Sequence, residues 1–144
     1  NLLQIPNTES NSHYLRTCKK LGREGHPARF PAGLPGFFIK FLTDRDDVVL
    51  DLFSGSNTTG RAAEELGRRW LTVEMDRSSA ALSAVRFTEG WKEERVRSVV
   101  QDLEIGKFLT IDMESRQVSE APAIGVQPPV ESAMRMGQRF LFRE

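Results

Sequence analysis

Apolar and polar positions divide the middle of the chain into short segments of contrasting period. Val48-Val49-Leu50 is an apolar, partly β-branched run that ends in Asp51, the pattern of a buried strand. A tight small-residue turn follows from Ser54 to Gly60, and Arg61-Ala62-Ala63-Glu64-Glu65-Leu66 then reads as helix, with Gly67 as its stop. Trp70-Leu71-Thr72-Val73 predicts a second strand, which delivers Glu74. Strand, glycine turn, helix and strand make the opening βα unit of an open α/β sheet, whose ligands sit at the carboxyl ends of the strands.

The flanking segments read more simply. Asn11 or Ser12 is placed to cap a short helix that runs to Lys20 or Leu21, before Gly22. Leu34 to Leu42 predicts a helix with Pro35 in its first turn. Phe37, Phe38, Phe41 and Leu42 share one face of it, the spacing of a core stripe. Beyond Glu74, Met75 to Ser78 reads as a turn and cap. Ser79 to Phe87 then reads as a helix with Ala81, Leu82, Ala84 and Val85 inward, and Glu93 to Val100 as a further short one. From Gln101 the periodicity decays, and Glu114 to Pro129 is polar with several Pro and Gly residues. The expectation there is a loosely ordered extension or a connection.

The chemistry of the turn narrows its ligand. No GxxxxGK[ST] phosphate loop is present, because Gly60 is followed by Arg61 and Ala62. A dinucleotide turn uses its second glycine to admit a pyrophosphate; Asn57 stands there, with a Cβ and an amide, although Asn tolerates a left-handed backbone. Asp51 would repel phosphate but suits a ligand carrying an ammonium and a sulfonium. Glu74 lies about twenty residues beyond the turn, the separation at which a carboxylate meets ribose hydroxyls. S-adenosylmethionine fits these observations together.

Composition adds bounds rather than direction. The chain has 144 residues, 39% hydrophobic and 28% charged, the usage of a soluble globular domain. Twenty basic residues balance twenty acidic ones, so any footprint for nucleic acid must be local. The most basic region holds Arg16, Lys19, Lys20, Arg23 and Arg29; it reads either as a phosphate-contacting surface or as a solvated helix face. Cys18 is the single cysteine and can form no internal disulfide. No apolar run has membrane-spanning length and no signal-peptide pattern opens the chain, so a reducing cytoplasm without membrane partners is expected. His26 sits in a Gly-His-Pro turn without Cys or His at ligand spacing, so no metal site is expected.

Asp51-Leu52-Phe53-Ser54-Gly55-Ser56-Asn57-Thr58-Thr59-Gly60 resembles motif I of the amino-group DNA methyltransferases. With His26-Pro27-Ala28-Arg29-Phe30-Pro31 upstream, similar to motif X, the likeness is greatest to the permuted, cytosine-N4 branch found in restriction–modification systems. It covers roughly Asn7 to Phe87. The resemblance implies a Rossmann-like, S-adenosylmethionine-dependent methyltransferase fold that passes a methyl group to an exocyclic amine of a base flipped out of double-stranded DNA. It implies that Asp51 and the turn Gly55-Ser56-Asn57-Thr58-Thr59 seat the methionine part, that Phe53 gives apolar contact and that Glu74 takes the ribose. His26 and Pro31 would fold over the cofactor. Phe30 stands where many relatives carry Lys, so no polar contact to the ligand carboxylate is expected there. Adenine-N6 chemistry uses the same scaffold and stays open.

The catalytic Ser/Asp/Asn-Pro-Pro-Tyr/Phe motif of that family is absent; the nearest string, Gln127-Pro128-Pro129-Val130, has no ring to stack on a base. Cys18, between Thr17 and Lys19, does not resemble the nucleophile of a 5-methylcytosine enzyme. No catalytic residue is therefore assigned. In the permuted order, catalytic motif and recognition region precede motif X. The expected organisation is the end of a recognition region over 1–25, a cofactor-binding region over 26–100 and an extension over 101–144. The chain begins at Asn1 rather than Met, so a fragment is expected, or a split or degenerate subunit, completed by an amino-terminal catalytic and recognition segment in cis or in trans.

Overall fold

The computed structural model describes residues 4–6, 12–112, 115, 117–120 and 137–139. The chain divides into two compact units, Asn1–Val100 and Gln101–Glu144. In the first, strand β1 (Val48–Asp51) runs parallel to β2 (Arg69–Thr72), with Val48 opposite Arg69 and Asp51 opposite Thr72. Parallel neighbours need a crossover, and helix α3 (Thr58–Glu65) supplies it. The pleat sends alternate side chains to opposite faces. Val49 and Trp70 therefore join Ala62 and Ala63 of α3, Leu66, and Ile39 of helix α2 (Gly33–Leu42) in one apolar cluster. Polar groups tie its rim: Arg68 Nη2 donates to the Thr43 carbonyl at 2.6 Å, and Trp70 Nε1 donates to Glu64 at 2.9 Å.

The strand–turn–helix–strand unit matches the expected order, with shifted ends. Helix α3 starts at Thr58, inside the stretch read as turn, and β2 begins one position earlier than expected. Val73 still extends the ladder, donating to the Asp51 carbonyl at 2.9 Å and accepting the Ser54 N–H at 3.0 Å. Helix α1 (His13–Lys20) is capped by Ser12, whose Oγ accepts the Leu15 N–H. Asn11, the other cap considered, lies outside the described residues. Helix α4 (Arg77–Ser83) begins two residues earlier than expected, capped by Asp76, whose carboxylate takes the Ser79 N–H at 2.6 Å. Those hydrogen bonds to Ser79 hold the Asp76 carboxyl below the usual carboxylate range. The helix then tightens into a 3-10 turn, Ala84–Phe87, which is buried throughout and packs on α1.

The aromatic stripe of α2 is a correction. Phe37, Phe38, Phe41 and Leu42 are exposed, Phe41 at 75%, and the helix buries Ile39 and Pro35 instead. Amphipathic spacing identifies an apolar face but not what covers it. Here α2 presents Ile39 to α3, and the stripe points away from that contact. The outer face of the two-stranded sheet is equally open, with Val48, Leu50, Leu71 and Val73 exposed, and Leu52 beyond β1 exposed as well.

A second correction concerns the extension. Helix α5 (Glu93–Glu104) runs past its expected end at Val100. In the second unit, β3 (Leu109–Asp112) is the centre of an antiparallel sheet, order β4–β3–β5, with β4 (Val118–Glu120) and β5 (Gly137–Arg139). Leu109 and Ile111 are buried, and Lys107 bridges Asp102 at 3.0 Å and Glu120 at 3.2 Å. β4 and β5, at three residues each, leave too few periods to be read from sequence. The stretch Asn7 to Asn11 and the string Gln127-Pro128-Pro129-Val130 lie outside the described residues. No helix among the described residues is long and apolar enough to cross a membrane.

Candidate functional site

The turn between β1 and α3 is built by Asn57. Its backbone is left-handed (φ 59°, ψ 44°), as an Asn in the second-glycine place allows. Its N–H donates to the Ser54 carbonyl at 2.7 Å and its Oδ1 caps α3 by accepting the Gly60 N–H at 3.0 Å. A Cβ at residue 60 would collide with the Asn57 side chain, so glycine is required where the cap closes. Asn57 Nδ2 is buried without a hydrogen-bond partner.

Gly55 is the other conformational requirement. It has a φ of +51°, and the His26 ring lies where a Cβ would sit, its Cε1 3.0 Å and Nδ1 3.1 Å away. The Gly55 N–H donates to Glu74 Oε2 at 2.7 Å, while Glu74 Oε1 accepts the Asp76 N–H at 2.9 Å. The acid predicted from spacing thus touches the turn itself. Each of its oxygens accepts one main-chain N–H and keeps a further lone pair for a ligand hydroxyl. Asp51, at the end of β1, accepts the Phe53 N–H at 3.0 Å, and Phe53 stands 83% exposed beside it.

The remaining expected residues divide by orientation. Ser56, Asn57 and Thr58 are buried, and the Ser56 and Thr58 hydroxyls meet at 3.3 Å. The turn from Ser54 to Thr58, Gly55 included, is buried throughout. Thr59 is half-buried in the first turn of α3. His26 is held by its N–H to Tyr14 Oη at 3.0 Å and by its ring, Nδ1–H to the Ala28 carbonyl at 3.0 Å; its own carbonyl accepts from Arg29. Pro31 accepts the Leu34 N–H at the start of α2, and among the described residues no hydrogen bond joins it to the turn. Arg16, Lys19, Lys20 and Arg23 are exposed on and just after α1, away from the turn's interior. Arg97 adds charge to that end, donating to the Lys20 and Leu21 carbonyls at 3.4 Å.

Sequence reasoning missed Tyr14 and Arg86. Arg86 is only 7% exposed and donates through Nε to the Ser56 carbonyl at 2.6 Å and through Nη2 to Ser56 Oγ at 2.8 Å. Its guanidinium lies 4.8 Å from the centre of the Tyr14 ring. Burial pushes the Tyr14 phenol up to about 12, so it stays protonated at neutral pH. The one signal in the sequence is a charge inside the apolar run Val85-Arg86-Phe87.

The donor set suits a ligand with cationic and hydroxyl groups: two carboxylates stand beside the turn, Asp51 at the end of β1 and Glu74 on the Gly55 N–H. Among the described residues, no three His, Cys, Asp or Glu side chains gather to hold a metal ion.

Comparison with known proteins places the chain in a family. The DNA methylase family of N6 and N4 enzymes matches residues 2–85. The type II methyltransferase M.PvuII of Proteus hauseri is 48% identical over 113 residues, which are 78% of this chain and 34% of that protein. M2.MboI of Moraxella bovis is 41% identical over 44% of this chain and 23% of its own length; M.BglI of Bacillus subtilis is 39% identical over 49% and 20%. The solved PvuII DNA methyltransferase, described as cytosine-N4-specific, superposes with a TM-score of 0.69 at 48% identity, covering 74% of this chain and 38% of that one. The chain thus spans about a third or less of the length of the curated relatives it matches. The likeness in structure gives it, in part, the Rossmann-like fold of S-adenosylmethionine-dependent methyltransferases. By sequence pattern and by fold, the chain belongs to the DNA methylase family.

Proposed function

We propose that this chain is the cofactor-binding portion of a cytosine-N4 DNA methyltransferase of the restriction–modification type. A methylase needs a methyl donor. In this reading the donor is S-adenosylmethionine, and the region over 26–100 binds it. The observation that carries the reading is the 2.7 Å bond from the Gly55 N–H to Glu74, which joins glycine turn and ribose-range acid in one site. Asp51 faces the cationic end of the ligand, the main chain from Gly55 to Thr59 seats its methionine part, Phe53 adds apolar contact and Glu74 takes the ribose hydroxyls. His26 backs the turn, and Pro31 sets the segment that leads into α2. Bound there, the cofactor supplies an activated methyl group.

Residues 1–25 serve as the end of the recognition region, with Arg16, Lys19, Lys20 and Arg23 as phosphate contacts to double-stranded DNA. The preference for cytosine-N4 follows the 48% identity to an enzyme of that specificity. The catalytic acceptors for the amine hydrogens come from the amino-terminal segment that carries the Pro-Pro-Tyr/Phe motif, in cis or in trans.

Calorimetry on wild type and Glu74→Ala tests the cofactor site. Loss of a charge-assisted ribose contact costs about 1.5–3 kcal/mol, so affinity for S-adenosylmethionine should fall more than about tenfold. An unchanged affinity in the variant removes Glu74 from the site.

A further inference from the structure

A buried guanidinium is expensive unless hydrogen-bonded, and it is seldom aimed at a loop carbonyl without consequence for that loop. Arg86 lies thirty residues beyond Ser56 and grips it twice, through its carbonyl at 2.6 Å and its hydroxyl at 2.8 Å. Both bonds fall in the middle of the turn, between Gly55, whose N–H is committed to Glu74, and Asn57, whose N–H is committed to Ser54. The other side of the guanidinium rests on the Tyr14 ring. Tyr14 Oη in turn holds the His26 N–H at 3.0 Å, and the His26 ring lies against Gly55. Arg61 Nη1 fixes the Arg86 carbonyl at 2.8 Å, so the backbone that carries the guanidinium is itself tied to α3.

We infer that Arg86, seated on Tyr14, is a positioning residue that holds the Gly55–Thr58 turn in the shape required for the methionine end of the cofactor. The inference rests on the proposed S-adenosylmethionine site. One planar fork holds Ser56 by both its carbonyl and its hydroxyl, and a second support, His26, reaches the turn through the same tyrosine. Lys cannot replace that fork, because an ammonium is a point donor that satisfies the carbonyl and the hydroxyl together only poorly. Glu74 bonds the turn through the Gly55 N–H but keeps a second anchor outside it, the Asp76 N–H at 2.9 Å, so the ribose end depends on Arg86 less than the methionine end does.

That separation gives the test. Binding of S-adenosylmethionine and of 5′-methylthioadenosine, which lacks the amino-acid end, is measured by calorimetry on wild type, Arg86→Lys and Arg86→Met, well below each protein's melting temperature. The expected result is a loss of more than about tenfold in S-adenosylmethionine affinity for Arg86→Met, with a smaller loss for Arg86→Lys. Methylthioadenosine affinity should change by less than about threefold. Equal losses for both ligands would make Arg86 a general structural support and overturn the inference, as would unchanged affinity for both. If Arg86→Met does not fold, Arg86→Lys alone decides by the same ratio. A wild-type chain that binds neither ligand overturns the cofactor reading and this inference together. Wild-type binding with no selective loss overturns this inference alone.

Discussion

Replacing Gly55 by valine is expected to abolish S-adenosylmethionine binding. Residue 55 has a φ of +51°, a left-handed backbone that costs an L-residue about 1–2 kcal/mol. The space is closed as well: three atoms of the His26 ring lie 3.0 to 3.3 Å from the position of a Cβ, before the two γ-methyl groups of valine are added. His26 cannot retreat easily, because its N–H is bonded to Tyr14 and its ring to the Ala28 carbonyl. The turn must therefore open, and opening it breaks the bond from Gly55 to Glu74. Affinity should fall by at least about a hundredfold. Circular dichroism on the same sample keeps the result interpretable, since the apolar cluster of Ile39, Ala62 and Ala63 does not involve residue 55. A folded Gly55→Val chain that binds normally would remove this turn from the site.

Legibility in the sequence followed the range of the interactions involved. The βα unit is readable because strand, cap and stop are local: Val48 to Asp51, Asn57 on Gly60, and Gly67 after Leu66 each act within a few residues. Glu74 is readable because the crossover length between parallel strands constrains its spacing from the turn. Arg86 is not, because its partner is a main-chain carbonyl thirty residues away and nothing in a run of apolar neighbours marks that target. The stripe on α2 shows a different limit. Phe37, Phe38, Phe41 and Leu42 have core spacing, yet periodicity cannot say whether the covering surface belongs to the same segment. The three-residue strands β4 and β5 failed for want of length.

Those exposed residues bear on the second large effect, methyl transfer itself. Parallel sheets are normally covered on both faces. Here β1 pairs with β2 alone among the described residues, and Val48, Leu50, Leu71 and Val73 form an open apolar face, with Phe37, Phe38 and Phe41 exposed on α2. Exposed patches of this kind mark interaction surfaces. The chain spans 34% of the length of the M.PvuII relative, and the proposed function takes the catalytic Pro-Pro-Tyr/Phe motif from an amino-terminal segment. That segment would supply acceptors for the amine hydrogens and a ring for the flipped base, whose extrusion costs a few kcal/mol. Without them the methyl donor is held but the acceptor is not oriented, and orientation contributes about 7–11 kcal/mol to well-placed reactions. Methyl transfer by the chain alone should therefore be undetectable.

The central claim, that this chain is the cofactor portion of a DNA methyltransferase, is tested most directly by tritiated-methyl transfer to mixed-sequence DNA. Three proteins are compared: the chain alone, the chain fused behind the amino-terminal part of the PvuII methyltransferase that it does not cover, and that fusion carrying Gly55→Val. The account predicts incorporation by the fusion only, and its loss in the Gly55→Val form. Incorporation by the lone chain, or none by a folded fusion that binds both S-adenosylmethionine and DNA, would contradict it.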